Sequence, residues 1–238
     1  AVCRRIKTMP SIQPSSQATN SAIEWFGQTL GLQLMQQFQR QAIPEITRVF
    51  GHSGLYLSPG NQQPSELSGN MLAQVLSLQR EPEGFSGVLR CDSLNLPIAS
   101  ESLSLVYGLC VLETSPDPDA LFEDMVRCLK PEGVLVLLGL NGLSPTRLRW
   151  HAKGIRPVGK SRLRRLCADH SLEITKLSQV GPIWLRPQEK IPRYRANQGL
   201  MNIFYAGHLL VAKRRVAGLT PLRKASQAYK LNPGVGAV

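Results

Sequence analysis

The chain of 238 residues is long enough for one domain with a sizeable core, and it carries a formal net charge of +12. No apolar run approaches the ~20 residues of a membrane span, and the first twenty residues lack the apolar core of a secretion signal. A cytoplasmic protein with no transmembrane segment is therefore expected.

The charge is lopsided. Residues 1–140 hold 9 Lys/Arg against 13 Asp/Glu and residues 141–238 hold 19 against 3, so the two parts carry −4 and +16. Cys3, Cys91, Cys110, Cys128 and Cys167 include no C-x-x-C pair, and they read as reduced structural thiols. His52, His151, His170 and His208 are scattered. They read as solvated or hydrogen-bonded side chains rather than metal ligands.

The Pro/Ser/Gln-rich residues 1–20 read as a disordered segment, with Met9 a candidate start of translation. Structure is expected to begin at Ser21, which has capping-box spacing to Glu24, and Ile23, Phe26, Leu30, Leu34 and Phe38 continue at helical steps. Beyond Pro44, Gly54 to Leu57 reads as a first strand, followed by the breaker-rich loop SPGNQQPSELSG; a second strand is expected around Ala73 to Leu78.

VLRC at 88–91 reads as a third strand and LSLVYGLCVLE as a buried fourth with its exit loop. Asp117 and Pro118 mark a helix start, with Leu121, Phe122, Met125, Val126 and Leu129 as its apolar stripe. The Val134–Leu138 run has no polar side chain, and KPEG bounds it before and Gly/Asn after. Such a run predicts a strand covered on both faces, as in a parallel sheet whose carboxyl ends carry the ligand. A helix over Ser161 to His170, an alternating strand LEITKLSQV and a last strand near Phe204 to Ala212 complete the pattern, giving a domain over 21–215 and a basic flexible tail over 216–238.

Residues 90–141 resemble the centre of a class I S-adenosylmethionine (SAM)-dependent methyltransferase acting on small molecules. The features are Asp92 before Leu96-Pro97, Val111-Leu112-Glu113 after the fourth strand, and Arg127-x-Leu129-Lys130-Pro131-x-Gly133 before the fifth. More loosely, the whole chain is similar to a proteobacterial group of methyltransferase-like proteins. The resemblance implies a Rossmann-like α/β fold, a seven-stranded and mostly parallel sheet with helices on both faces, and SAM across the carboxyl ends of the first strands. It assigns cofactor contacts to Ser58, Gly60, Asp92, Ser93 and Leu94, with Asp92 taking the adenine amino group. Glu113 (with Thr114) and Asn141 would face the transferred methyl.

The chain departs from that family in two places. Tyr56-Leu57-Ser58-Pro59-Gly60-Asn61-Gln62 stands where an acidic residue and G-x-G-x-G are usual, so one glycine of three remains and Pro59 removes an N–H donor. Residues 73–80, AQVLSLQR, hold no carboxylate for the ribose hydroxyls.

Methyl transfer needs mainly orientation of the two reactants; should the acceptor need deprotonation, Glu113 or His151 would serve as base. Trp184 and Tyr194, in the proline-punctuated insertion before the last strand, would line a pocket or simply pack. The alternative reading is an inactive methyltransferase-like scaffold. It would bind an acidic partner, or nucleic acid, through its basic C-terminal half, including Lys213, Arg214, Arg215, Arg223, Lys224 and Lys230.

Overall fold

The structure is a computed structural model that describes residues 16–60, 71–92, 95–184 and 203–215. Its centre is parallel. β1 (Phe50–Ser58) lies between β2 (Met71–Arg80) and β5 (Leu103–Leu109), and β5 pairs with β6 (Leu129–Leu140). β8 (Gly207–Arg214) then inserts antiparallel between β6 and β7 (Leu172–Val180). At the opposite edge, β3 (Gly84–Gly87) and β4 (Cys91–Asp92) form a short antiparallel hairpin on β2. The order is β4-β3-β2-β1-β5-β6-β8-β7, eight strands where seven were expected.

The α/β class and the mostly parallel sheet stand as expected, but the third strand does not lie at 88–91. Val88 and Leu89 are exposed, in the turn between β3 and β4. Among the described residues no layer covers the pair at this sheet edge, so its apolar character does not make it core. Gly84 supplies the close approach instead, since a Cβ there would collide with the carbonyl oxygen of Cys91.

β6 explains why its sequence is apolar throughout. Val136 and Leu138 join the cluster made with α1 (Ser16–Gly27) and α2 (Thr29–Ile46), through Trp25, Phe26, Leu34, Phe38 and Ala42. Leu135 and Leu137 point the other way, into the cluster with α3 (Pro118–Cys128) and α5 (Lys160–Asp169). Helix formation starts at Ser16, five positions before Ser21. Ser21 therefore lies inside α1 rather than at its cap, and α2 runs through Pro44 to Ile46. The Phe38 ring from α2 lies against Gly181 and Gly207, where a Cβ on either glycine would collide with it. No described helix is long and apolar enough to cross a membrane.

The start of α3 is built as expected: Pro118 occupies its first turn, and the Asp117 carboxylate accepts from the N–H groups of Asp119 (3.1 Å) and Ala120 (3.2 Å). Its end does something the motif alone does not reveal. Asp124, nearly buried, accepts from the Leu96 N–H (2.6 Å) and from Arg127 Nε (2.6 Å); Arg127 in turn donates to the carbonyls of Leu96 (3.0 Å) and Ile98 (2.9 Å). The clamp ties the segment after β4 to α3, which links Leu96-Pro97 physically to Arg127. Asp124→Ala should destabilise the protein by about 2 kcal/mol, because it leaves a buried N–H and a guanidinium without their acceptor. Chemical denaturation of the two proteins checks this, and an unchanged midpoint would mean the clamp adds nothing.

The basic triplet at the end of β8 does not form an open patch. Lys213 pairs with Glu132 (2.6 Å), and Arg214 pairs with Glu101 (2.8 Å) while also donating to the Leu129 carbonyl. Arg215 meets both Glu173 (2.6 Å) and Glu132 (2.9 Å). These contacts lie at the amino ends of β6 and β7, opposite the edge where a ligand is expected. Arg223, Lys224, Lys230 and the rest of 216–238 lie outside the described residues, as does most of 1–20.

Candidate functional site

β1, β2, β5, β6 and β7 all finish at one edge of the sheet, where β8 begins. Among the described residues, two of the clefts open there. The first, about 440 Å³, lies beyond β2 and is lined by Glu81, Glu83, Phe85, Arg90 and Asp92 among others. Asp92, expected as a cofactor contact, is thus on a cleft wall. Glu81, the first residue after β2 and one position beyond the stretch in which a carboxylate was sought, lines the same cleft. Its backbone closes the turn into β3 through Glu81 N–H to Gly84 O (2.9 Å), and its side chain meets exposed Arg90 at 3.5 Å. Behind this wall Arg80 is buried with its guanidinium over the Phe85 ring at 5.0 Å, and burial pulls its pKa down to about 10.

The glycine-poor loop begins at Ser58, whose hydroxyl donates to the Gly60 carbonyl (3.2 Å). A Cβ at Gly60 would make ordinary contact with Ile23, so packing does not demand a glycine there. Tyr56 is not at the strand end; its ring meets Tyr107 edge-on at 5.4 Å, packed against the α1/α2 cluster. Ser93 and Leu94 lie outside the described residues, as do 61–70 and Tyr194.

Between the clefts, the chain leaves β5 through Cys110 at φ +49 and enters a one-turn 3-10 helix, Leu112–Thr114. The sharp exit carries Glu113 inward. It is 2% exposed, its Oε1 accepts from the Leu140 N–H (2.8 Å), and its Oε2 has no hydrogen-bond partner. Burial raises its pKa to about 7. Thr114 donates to the Val111 carbonyl (3.0 Å). Neither residue lines either of the two clefts described; Glu113, expected to face the transferred methyl, turns to the Leu140 N–H.

Asn141 is also engaged structurally. Its amide donates to the carbonyls of Ile203 (2.7 Å) and Tyr205 (2.9 Å) and accepts from the Leu143 N–H (3.1 Å). With both donors used, it holds the chain returning to β8 and has no amide hydrogen left for a substrate. His151 is exposed in a separate 3-10 turn, and Trp184, also exposed, has the Arg149 guanidinium 5.8 Å from its ring.

The second cleft, about 560 Å³, lies beyond β6 and against the start of α5. Its lining includes Arg147, Lys160, Arg164, Gln179 and His208, and no carboxylate. His208 is paired in register with Gly139 on one side and Gln179 on the other. A Cβ at Gly139 would stand 2.6 Å from both His208 Nε2 and Glu113 Oε1, so the missing side chain leaves the room these two groups share. Burial, with the charge of Lys160 added, lowers the His208 pKa to about 4. Sequence reading set His208 aside as one scattered histidine, because only the insertion of β8 beside β6 brings it here.

Comparison with known proteins fits this geometry. A family model described as a methyltransferase domain matches residues 64–137. The match spans about a third of the chain, and the fold is one shared with solved SAM-dependent methyltransferases. The uncharacterized protein YafS of Escherichia coli (strain K12) is 23% identical to it over 205 residues, 84% of each chain. A SAM-dependent methyltransferase of Thermotoga maritima superposes with a TM-score of 0.53 at 16% identity, over 84% of this chain and 98% of the other. An N-methyltransferase of Haemonchus contortus, solved with phosphomonomethylethanolamine and S-adenosylhomocysteine, gives 0.53 at 15% identity over 86% and 59%. The chain thereby shares the fold of the solved methyltransferases, whereas the individual site residues rest on their own geometry.

Proposed function

We propose that the protein transfers a methyl group from SAM to a small-molecule acceptor, with the nucleoside half of the cofactor held between Glu81 and Asp92. The observation that carries this reading is the placement of two carboxylates on one cleft at the ends of β2 and β4. A carboxylate accepts hydrogen bonds only, which suits the ribose hydroxyls for Glu81 and the adenine amino group for Asp92. These two acceptors therefore fit the nucleoside. When bound, SAM supplies an electrophilic methyl on its sulfonium. Glu113 acts at a distance from the chemistry, fixing the end of β6 through the Leu140 N–H. The loop at Ser58 to Gly60 offers few backbone donors, so the amino-acid half of the cofactor depends less on this segment than the glycine-rich pattern would provide.

The alternative scaffold reading leaned on the charge of the C-terminal half. Lys213, Arg214 and Arg215 are paired internally, which weakens its support. Calorimetric titration with S-adenosylhomocysteine is the direct test. Asp92→Ala and Glu81→Ala should each weaken binding about ten to a hundredfold, the value of a hydrogen bond to a charged group. Absence of binding at millimolar ligand by well-folded parent protein would overturn the proposal.

A further inference from the structure

The second cleft collects positive charge without answering it. Among the described residues, Arg147, Lys160 and Arg164 have no ion pair, whereas neighbouring Arg162 pairs with Asp119 at 2.9 Å. Burial, with repulsion from Arg164 one turn along α5 added, holds the Lys160 pKa below its ordinary value. The Gln179 amide, oriented so that its nitrogen donates to the Gly207 carbonyl (2.8 Å), accepts from Lys160 Nζ and fixes that cation over the cleft. α5 begins after Gly159, which offers no side-chain cap, and Gly159, Lys160 and Ser161 all line the cleft. Its first backbone N–H groups add partial positive charge there.

A second observation points to a ligand independently. His208 is 2% exposed and lines the same cleft, and its imidazole makes no hydrogen bond among the described residues. A buried polar side chain is ordinarily satisfied. The wall beside it is apolar: Leu143 (71% exposed) and Ile203 (52% exposed) line the opening.

We propose that this cleft seats the methyl acceptor by a phosphate monoester group, gripped by Arg147, Lys160 and Arg164 above His208, with an apolar body lying on Leu143 and Ile203. The word acceptor rests on the methyltransferase reading; the anion site does not. Three cations and a helix start match a dianion better than a single carboxylate, and neutral His208 can donate one hydrogen bond to it.

The test uses the full chain at fixed ionic strength, with phenyl phosphate and benzoate as probes and S-adenosylhomocysteine titrated into the same samples. Phenyl phosphate should bind and benzoate more weakly. Lys160→Gln and Arg164→Gln should each weaken phenyl phosphate about tenfold or more and the double variant about a hundredfold, as expected for charge-assisted hydrogen bonds. Binding of S-adenosylhomocysteine should not change, and the imidazole resonances of His208 should shift with phenyl phosphate. Equal binding by parent and double variant, equal binding of benzoate, or preference for a single-stranded oligonucleotide would each overturn the proposal. If the parent binds S-adenosylhomocysteine but not phenyl phosphate, the anion site fails alone. If it binds phenyl phosphate in the expected variant-dependent way but not S-adenosylhomocysteine, the methyltransferase reading fails and the anion site stands.

Discussion

Leu137→Asp should leave no soluble folded protein. Leu137 lies in the middle of β6, 3% exposed, in the cluster with α3 and α5, and a Cβ at neighbouring Gly108 would already crowd its side chain. A carboxylate there has no cation to pair with in the surrounding cluster of aliphatic, aromatic and thiol side chains. The cost of burying it unpaired is large compared with the ~5–15 kcal/mol that holds a domain together. Soluble yield and a thermal melt measure the outcome, and a soluble variant with the parent melting curve would refute a central position for β6.

Glu113→Gln should have the opposite sign, and its size should depend on pH. Folding moves the Glu113 pKa up from 4.5 to about 7. For a raised carboxyl the stabilising contribution is complete below the unfolded value and is lost as pH rises through the folded one. The parent should therefore lose about 3 kcal/mol from this group between pH 4.5 and somewhat above 7. Glutamine keeps an acceptor for the Leu140 N–H and carries no charge, so the variant should match the parent near pH 4.5 and exceed it by about 3 kcal/mol at pH 8.5.

His208 runs the other way, since its pKa falls from 6.5 to about 4 and its cost grows as pH drops through that range. Taking the difference between variant and parent at each pH removes that slope. Guanidinium denaturation at the two pH values checks the expectation. An equal difference at both would show that Glu113 does not titrate in this window.

Much of the fold was readable because it followed local rules. Asp117-Pro118 announces α3 by capping chemistry, and the uninterrupted Val134–Leu138 run announces a strand buried on both faces. Ser21-x-x-Glu24 obeyed the same local rule and misled, since the helix had already begun at Ser16. Val88-Leu89 misled for a different reason: apolar character at a sheet edge looks like core until the exposure of both side chains is seen.

The site was less legible because its parts are distant in sequence. Asp92 and Glu81 share a cleft through the β3–β4 hairpin, which no pattern in the sequence indicated. Glu113 and Asn141 are where the strand ends put them. Their polar atoms, however, turn to backbone groups of Leu140, Ile203, Tyr205 and Leu143, a direction that residue type alone does not specify.

The contact of Phe38 with Gly181 and Gly207 bears on how the protein is made. A ribosome releases α2 long before β8, yet the Phe38 ring of α2 closes on the glycine that follows β7 and on the one that opens β8, and β8 itself fills the slot between β6 and β7. Until residues near Ala212 have left the exit tunnel, the slot is open and both flanking strands present unpaired backbone. Domains generally fold as units during synthesis. Here the unit is completed only when β8 arrives, so a transcript truncated before β8 should yield a chain fit for degradation rather than a partly working protein.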